Sequence, residues 1–150
     1  MTNHSSDTGL YIHIPFCQRK CPYCGFYSVP LANNSPERLV DALLKEIDMY
    51  YLAEPPKTIY MGGGSPTCLP RKLLLRLLRS LHQRFGTVEE WTVECNPAQV
   101  SEGLFEAFLS TGVNRLSIGV QSFDADELTM LERLHDSEQS IAAVQAARSA

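Results

Sequence analysis

Several common features are missing from this chain, and each absence excludes a class of function. There is no run of lysines and arginines, and the formal net charge is −4. A basic surface for nucleic acid or for an anionic membrane is therefore not indicated. No apolar stretch is long enough to span a bilayer. The start, MTNHSSDTG, is polar and lacks the basic region and apolar core of a secretory signal. These absences predict a cytoplasmic protein, where thiols stay reduced. An even cysteine count is missing too. Five cysteines argue against a full disulfide framework, and clustered thiols in a reducing compartment point to metal or redox chemistry.

What is present suffices for one domain: 150 residues, 44% of them hydrophobic. Residues 1–8 read as a loose tail. LYIHI (10–14) reads as a buried strand, followed by a long loop. Ser35 then caps a helix that opens on Pro36, a residue tolerated at the first helical position. Leu39, Val40, Leu43, Leu44 and Ile47 form its apolar stripe. KTIYM (57–61) is a second strand, ending in GGGSP. Pro70 opens a second helix, with Leu73, Leu74, Leu77, Leu78 and Leu81 inward and Gly86 as its stop. EWTVEC (90–95) is a third strand, after which Ser101 caps a helix that Gly112 ends. NRLSIGVQSF (114–123) is a fourth, and helices are expected over roughly 124–134 and 138–150.

Strands alternating with helices predict an α/β fold with a parallel sheet and right-handed crossovers. The final QSIAAVQAARSA has no glycine stop, and four βα units leave an uncovered sheet edge. A full eight-unit barrel takes about 250 residues. The expectation is that residues 9–150 are the first part of a (β/α) barrel or partial barrel. An open doubly wound sheet is the alternative.

In such folds chemistry gathers at the carboxyl ends of the strands. The unusual residues of this chain fall there four times. A loop holding Cys17, Cys21 and Cys24 follows the first strand, and Gly62, Gly63 and Gly64 follow the second. Glu94 and Asn96 close the third strand, and Gln121 closes the fourth. Three thiolates at C-x-x-x-C-x-x-C suit three corners of a 4Fe–4S cubane and leave its fourth iron open, where a ferredoxin supplies a fourth cysteine. A zinc site is the competitor. It usually takes four ligands, and strand alternation gives no assurance that His13 faces the loop. Cys68 and Cys95 read as isolated packing thiols. The three glycines suit either close backbone approach to a ligand or a tight turn. No Gly-Lys-Ser/Thr follows them, so a nucleoside-triphosphate loop is not indicated.

YIHIPFCQRKCPYCGF, GGGSPT, ECNP and RLSIGVQSF together resemble the radical S-adenosylmethionine (SAM) superfamily. Within it they resemble the oxygen-independent coproporphyrinogen III oxidase-like family. The resemblance runs from about Leu10 to the last residue. It implies a partial barrel with a 4Fe–4S cluster at its mouth, held by Cys17, Cys21 and Cys24. SAM would chelate the open iron and be cleaved, after one-electron reduction by a donor protein, to methionine and a 5′-deoxyadenosyl radical. It also implies cofactor contacts at Tyr11, Tyr23, Gly63, Gly64, Ser65 and Glu94, with Gln121 and Arg133 holding a second SAM in the oxidases. Arg133 alternatively reads as an exposed arginine on a helix, MLERLHD.

Two departures separate the chain from the oxidases. They carry a further cysteine two residues beyond the third ligand, where this chain has Phe26, and a longer segment before YIHIPFC. Both are features of the haem-chaperone branch of the same family. The resemblance therefore implies a haem chaperone that delivers haem to acceptor proteins, with porphyrinogen decarboxylation as the alternative activity.

Overall fold

A computed structural model describes residues 8–50 and 54–150. The expected tail therefore lies, apart from Thr8, outside the described residues. Strand β1 is Gly9–Ile14, and its alternation sorts the side chains onto two faces. Ile12 and Ile14 are buried, while Tyr11 is exposed on the opposite face. Two-residue strands β2 (Phe16–Cys17) and β3 (Val29–Pro30) pair in parallel and pinch the cysteine loop at its base. Helix α1 is Pro36–Met49, and Ser35 Oγ accepts the Arg38 N–H at 3.4 Å, the cap expected from the sequence.

Strand β4 (Thr58–Gly63), helix α2 (Arg71–Phe85), strand β5 (Glu90–Cys95), helix α3 (Glu102–Ser110) and strand β6 (Arg115–Ile118) follow. Helices α4 (Ala125–Met130) and α5 (Ser137–Ser149) complete the order. All pairings in the four-stranded sheet are parallel, in the spatial order β1-β4-β5-β6. The strands progress in one direction without a reversal, as barrel units do and as a doubly wound sheet does not. One sheet face is apolar: Ile12, Ile14, Ile59, Met61, Trp91 and Val93 are buried against the leucines of α2 and Phe105 and Phe108 of α3. The other is polar, with Tyr11, Tyr60, Thr92 and Arg115 in adjacent register across it.

The structure corrects several boundaries. Gly62 and Gly63 belong to β4 rather than to the turn after it. Pro70 stands at the N-cap of α2 and the first helical residue is Arg71, while Gly86 ends that helix as expected, at φ 68°. Ser101 occupies the cap position of α3, but its side chain makes no capping bond. Strand β6 stops at Ile118. The apolar run misleads there because the chain bends through successive tight turns, with Val120 N–H on the Ile118 carbonyl and Ser122 N–H on that of Val120. Gln121 adopts φ 68°, so it lies in a loop three residues past the strand.

Arg133 is likewise not helical. Helix α4 ends in a Schellman motif, with Arg133 N–H on the Leu128 carbonyl and Glu132 N–H on that of Thr129. Glu132 takes the left-handed position at φ 51°, where glycine is usual. This turn aims Arg133 back toward the sheet.

Candidate functional site

A cavity of about 280 Å³ opens at the carboxyl end of the sheet. Its wall gathers Cys17, Cys21, Cys24, Tyr23, Gly63, Gly64, Ser65, Glu94, Gln121 and Arg133. Tyr11 stands apart from that wall. Its Oη meets His13 Nδ1 at 3.0 Å, and its ring lies 6.0 Å from Tyr60, centre to centre. His13 does face the loop base, but as a strut: its Nε2 meets the Tyr27 carbonyl at 3.1 Å. With both ring nitrogens engaged, it offers no donor for a metal beside the cysteines.

All five cysteines are free thiols. Cys17 sits on β2, and the Cys24 N–H donates to the Cys21 carbonyl at 3.1 Å, making a turn between the two. Burial, and behind it the neighbouring Cys24 and Cys21, push the Cys17 thiol up from its ordinary value. Cys95 is 4% exposed, and burial pushes its thiol up to about 12, which makes it an inert packing group in the cavity wall. Cys68 is half-buried, and its thiol is also raised, chiefly by burial.

Glu94 is fixed from two sides. Tyr60 Oη donates to Oε1 at 2.6 Å, and the Gly63 N–H donates to Oε2 at 3.1 Å. The bond to Glu94, with burial behind it, raises the Tyr60 phenol above its ordinary value of 10.0, so the phenol remains the donor. Deeper in the wall, Ser65 Oγ and Thr67 Oγ1 both donate to Gln99 Oε1, at 2.9 and 3.0 Å. The glycines serve the protein's own packing. Gly63 has φ 118°, and a Cβ there would lie 2.6 Å from the His13 ring. A Cβ on Gly64 would lie 2.5 Å from the Phe16 carbonyl oxygen.

Arg133 Nη2 donates to the Gly119 carbonyl at 2.9 Å, and Nη1 faces Cys21 Sγ at 3.5 Å and Tyr23 Oη at 3.3 Å. Nearby, His135 is 5% exposed and donates from Nε2 to the Val120 carbonyl at 2.9 Å, bracing the Gln121 loop. Its Nδ1 is buried without a partner. Burial lowers the His135 pKa from 6.5, so the folded chain binds this proton less readily than the unfolded one. The resulting stability is fully present above pH 6.5 and is lost as pH falls through the lower folded value. Urea titrations between pH 7.5 and 5 are expected to show this decline, and His135→Gln to flatten it. An equal slope in both proteins would remove His135 as its source.

Tyr60, Thr67, Gln99, Arg19, Glu132 and His135 were not picked out from the sequence. Tyr60 was accessible to alternation, since it shares the polar sheet face with Tyr11. The Arg19–Glu132 pair joins positions 113 apart, a separation that leaves no local signal.

The radical SAM superfamily profile matches residues 11–150. The chain belongs to the radical SAM superfamily. It is 41% identical over 132 residues to the haem chaperone HemW of Escherichia coli (strain K12), an alignment covering 84% of this chain and 35% of that protein. It is 37% identical over 142 residues to the haem chaperone HemW of Buchnera aphidicola subsp. Schizaphis graminum, covering 91% and 38%. Among solved structures it superposes on the coproporphyrinogen III oxidase HemN of Escherichia coli, a radical SAM enzyme, with a TM-score of 0.85 at 29% identity. That match covers 95% of this chain and 34% of the other. The chain thus spans little more than a third of the length of these relatives.

Membership implies a 4Fe–4S cluster and SAM as cofactors. The residues present fit that pair. Three free thiols share one cavity wall. A cubane takes each thiolate at a separate corner, so the three sulfurs need not meet at one point. The same wall holds a buried polar atom with no hydrogen-bond partner, Arg133 Nε, which suits a polar occupant. Among the described residues no helix is long and apolar enough to cross a membrane.

Proposed function

We propose that residues 9–150 are the N-terminal portion of the radical SAM core of a haem chaperone, which binds haem and passes it to acceptor proteins. The observation that carries the choice is Phe26. It stands where the oxidases have a further cysteine, is 70% exposed, and forms part of the cavity wall. A large apolar ring there offers packing surface to a flat ligand and no thiol. The similarity to two haem chaperones supports the same reading.

In this reading Cys17, Cys21 and Cys24 bind three irons as thiolates, so loading releases their protons. When bound, the cluster would supply the one-electron reduction of SAM, with the electron drawn from a separate donor protein. The chain's own residues orient and shelter the pair. Glu94 keeps lone pairs free on both oxygens to accept from hydroxyl groups, while Tyr60 and Gly63 prevent its rotation. The Gly63 and Gly64 N–H groups and the Ser65 hydroxyl are already engaged within the protein, so this turn offers a ligand close backbone approach rather than free donors, and Tyr23 offers an aromatic face. Gln121 and Arg133 close the opposite wall. Tyr11, outside the cavity, meets only a ligand that extends past Tyr60. The cytoplasm, where thiols remain reduced, is the compartment we assign.

One observation favours an oxidase acting on coproporphyrinogen III instead: the superposition on HemN together with the assembly of Glu94, Gln121 and Arg133 around one cavity. Anaerobic assay of the full-length reconstituted protein separates the two. The chaperone reading expects stable haem binding, haem transfer to an apo-acceptor and no porphyrinogen turnover. Vinyl-bearing product in molar excess over protein would establish the oxidase.

A further inference from the structure

Beyond its two-residue ladder, the loop carrying the three cysteines has no regular structure. It is nevertheless tied to a distant segment by two arginines that reach across in opposite directions. Arg19, from the loop, donates through Nη2 to the Glu132 carbonyl at 2.6 Å and pairs with the Glu132 carboxylate at 3.5 Å. Arg133, from the turn after α4, returns the contact to Cys21 Sγ and Tyr23 Oη. Glu132 takes the left-handed position that glycine would occupy without strain. The contacts of Arg19 hold it there, and they thereby fix the direction of the next side chain. The guanidinium is further fixed by Nη2 on the Gly119 carbonyl. Its approach to the sulfur is therefore set by the fold.

On the reading that Cys17, Cys21 and Cys24 hold the cluster, the geometry points to Arg133 as a positioning residue for that cluster, donating an N–H to the Cys21 sulfur and raising the reduction potential. Hydrogen bonds to ligand sulfurs and nearby net charge are the protein's means of setting such potentials. Reduction adds one electron from an external donor, and no bond is made or broken. The added negative charge is shared with the ligand sulfurs, so a fixed cation against one of them favours the reduced form. Arginine suits the task because it stays charged and its planar fork serves Gly119 and Cys21 at once.

The test is a redox titration of the full-length, anaerobically reconstituted protein with dithionite. It is read by electron paramagnetic resonance alongside iron content, without added SAM. Arg133→Gln is expected to keep its iron while the ratio of reduced to oxidised cluster at a fixed poise falls about tenfold, a shift of about 59 mV for one electron. Arg133→Lys, which keeps the charge but loses the fork, is expected to fall between that variant and wild type. An unchanged potential in iron-loaded Arg133→Gln overturns the inference, even if SAM affinity drops, because the arginine then serves only the ligand. If Arg133→Gln loses iron, the lysine variant decides: a lowered potential supports the inference and a wild-type potential overturns it. Loss of iron from both overturns it too, since the arginine would then build the site rather than tune it. A wild-type protein without a cluster fails the underlying assignment and this inference together, whereas an unchanged potential in a loaded variant fails the inference alone.

Discussion

Replacing Cys21 with alanine is expected to reduce bound iron from about four atoms per chain to near zero, and the brown colour of the anaerobic preparation should go with it. Cys68→Ala is expected to leave both unchanged. The comparison is demanding because Cys68 is also a half-buried free thiol, like Cys17, Cys21 and Cys24. What separates it is position. It lies in the short turn after β4 and outside the cavity wall, whereas Cys17, Cys21 and Cys24 belong to one loop and one wall. A cubane that loses one of three protein ligands has two protein anchors left for four irons. A free thiol outside the wall cannot replace the third without moving backbone. Equal iron loss in the two variants, measured by iron and sulfide analysis, would reject the assignment of ligands.

The sequence was most informative where one local rule acted without competition. EWTVEC is an apolar run bounded by polar residues, and β5 occupies those positions unchanged. Ser35 before Pro36 announced the start of α1 because both residues act within a single turn. Ten of the eleven residues assigned to cofactors line one cavity, since parallel strands carry every βα loop to the same end of the sheet. Tyr11 is the exception: it sits in the body of β1, three residues before the strand's end.

Where competing influences met, the reading failed. GVQSF looks like a continuing strand because Val120 extends the alternation of Leu116 and Ile118, yet Phe123 is 60% exposed and the chain has already turned away. MLERLHD looks helical because glutamate and arginine are good helix formers. A glutamate in a left-handed turn has no signature, because what holds it there is an arginine 113 positions earlier. The same holds for Glu94, whose orienting partners Tyr60 and Gly63 come from a neighbouring strand. Periodicity reports which face of its own element a residue occupies. It is silent about what reaches that residue from elsewhere.

Gly64→Ala is expected to cost about 1–3 kcal/mol of stability, the range for overpacking a tight site, and most of the iron as well. Gly25→Ala is expected to do neither. Both substitutions add one methyl group near the cysteine loop. At Gly25 the added Cβ meets nothing within 4 Å and enters open space. At Gly64 it would lie 2.5 Å from the Phe16 carbonyl oxygen and 3.0 Å from Cys17 Sγ. The oxygen is backbone and cannot rotate aside. It already accepts the Ser65 N–H at 2.8 Å, while the Gly64 N–H donates to the Ile14 carbonyl at 2.8 Å. Relief therefore requires β2 to separate from the turn after β4, which breaks the Ser65 bond to Phe16 and carries Cys17 out of position. Urea unfolding and iron analysis on the two variants check this together. Wild-type iron in Gly64→Ala would mean that the first cysteine tolerates displacement, and that the close approach of these two segments is not what places it.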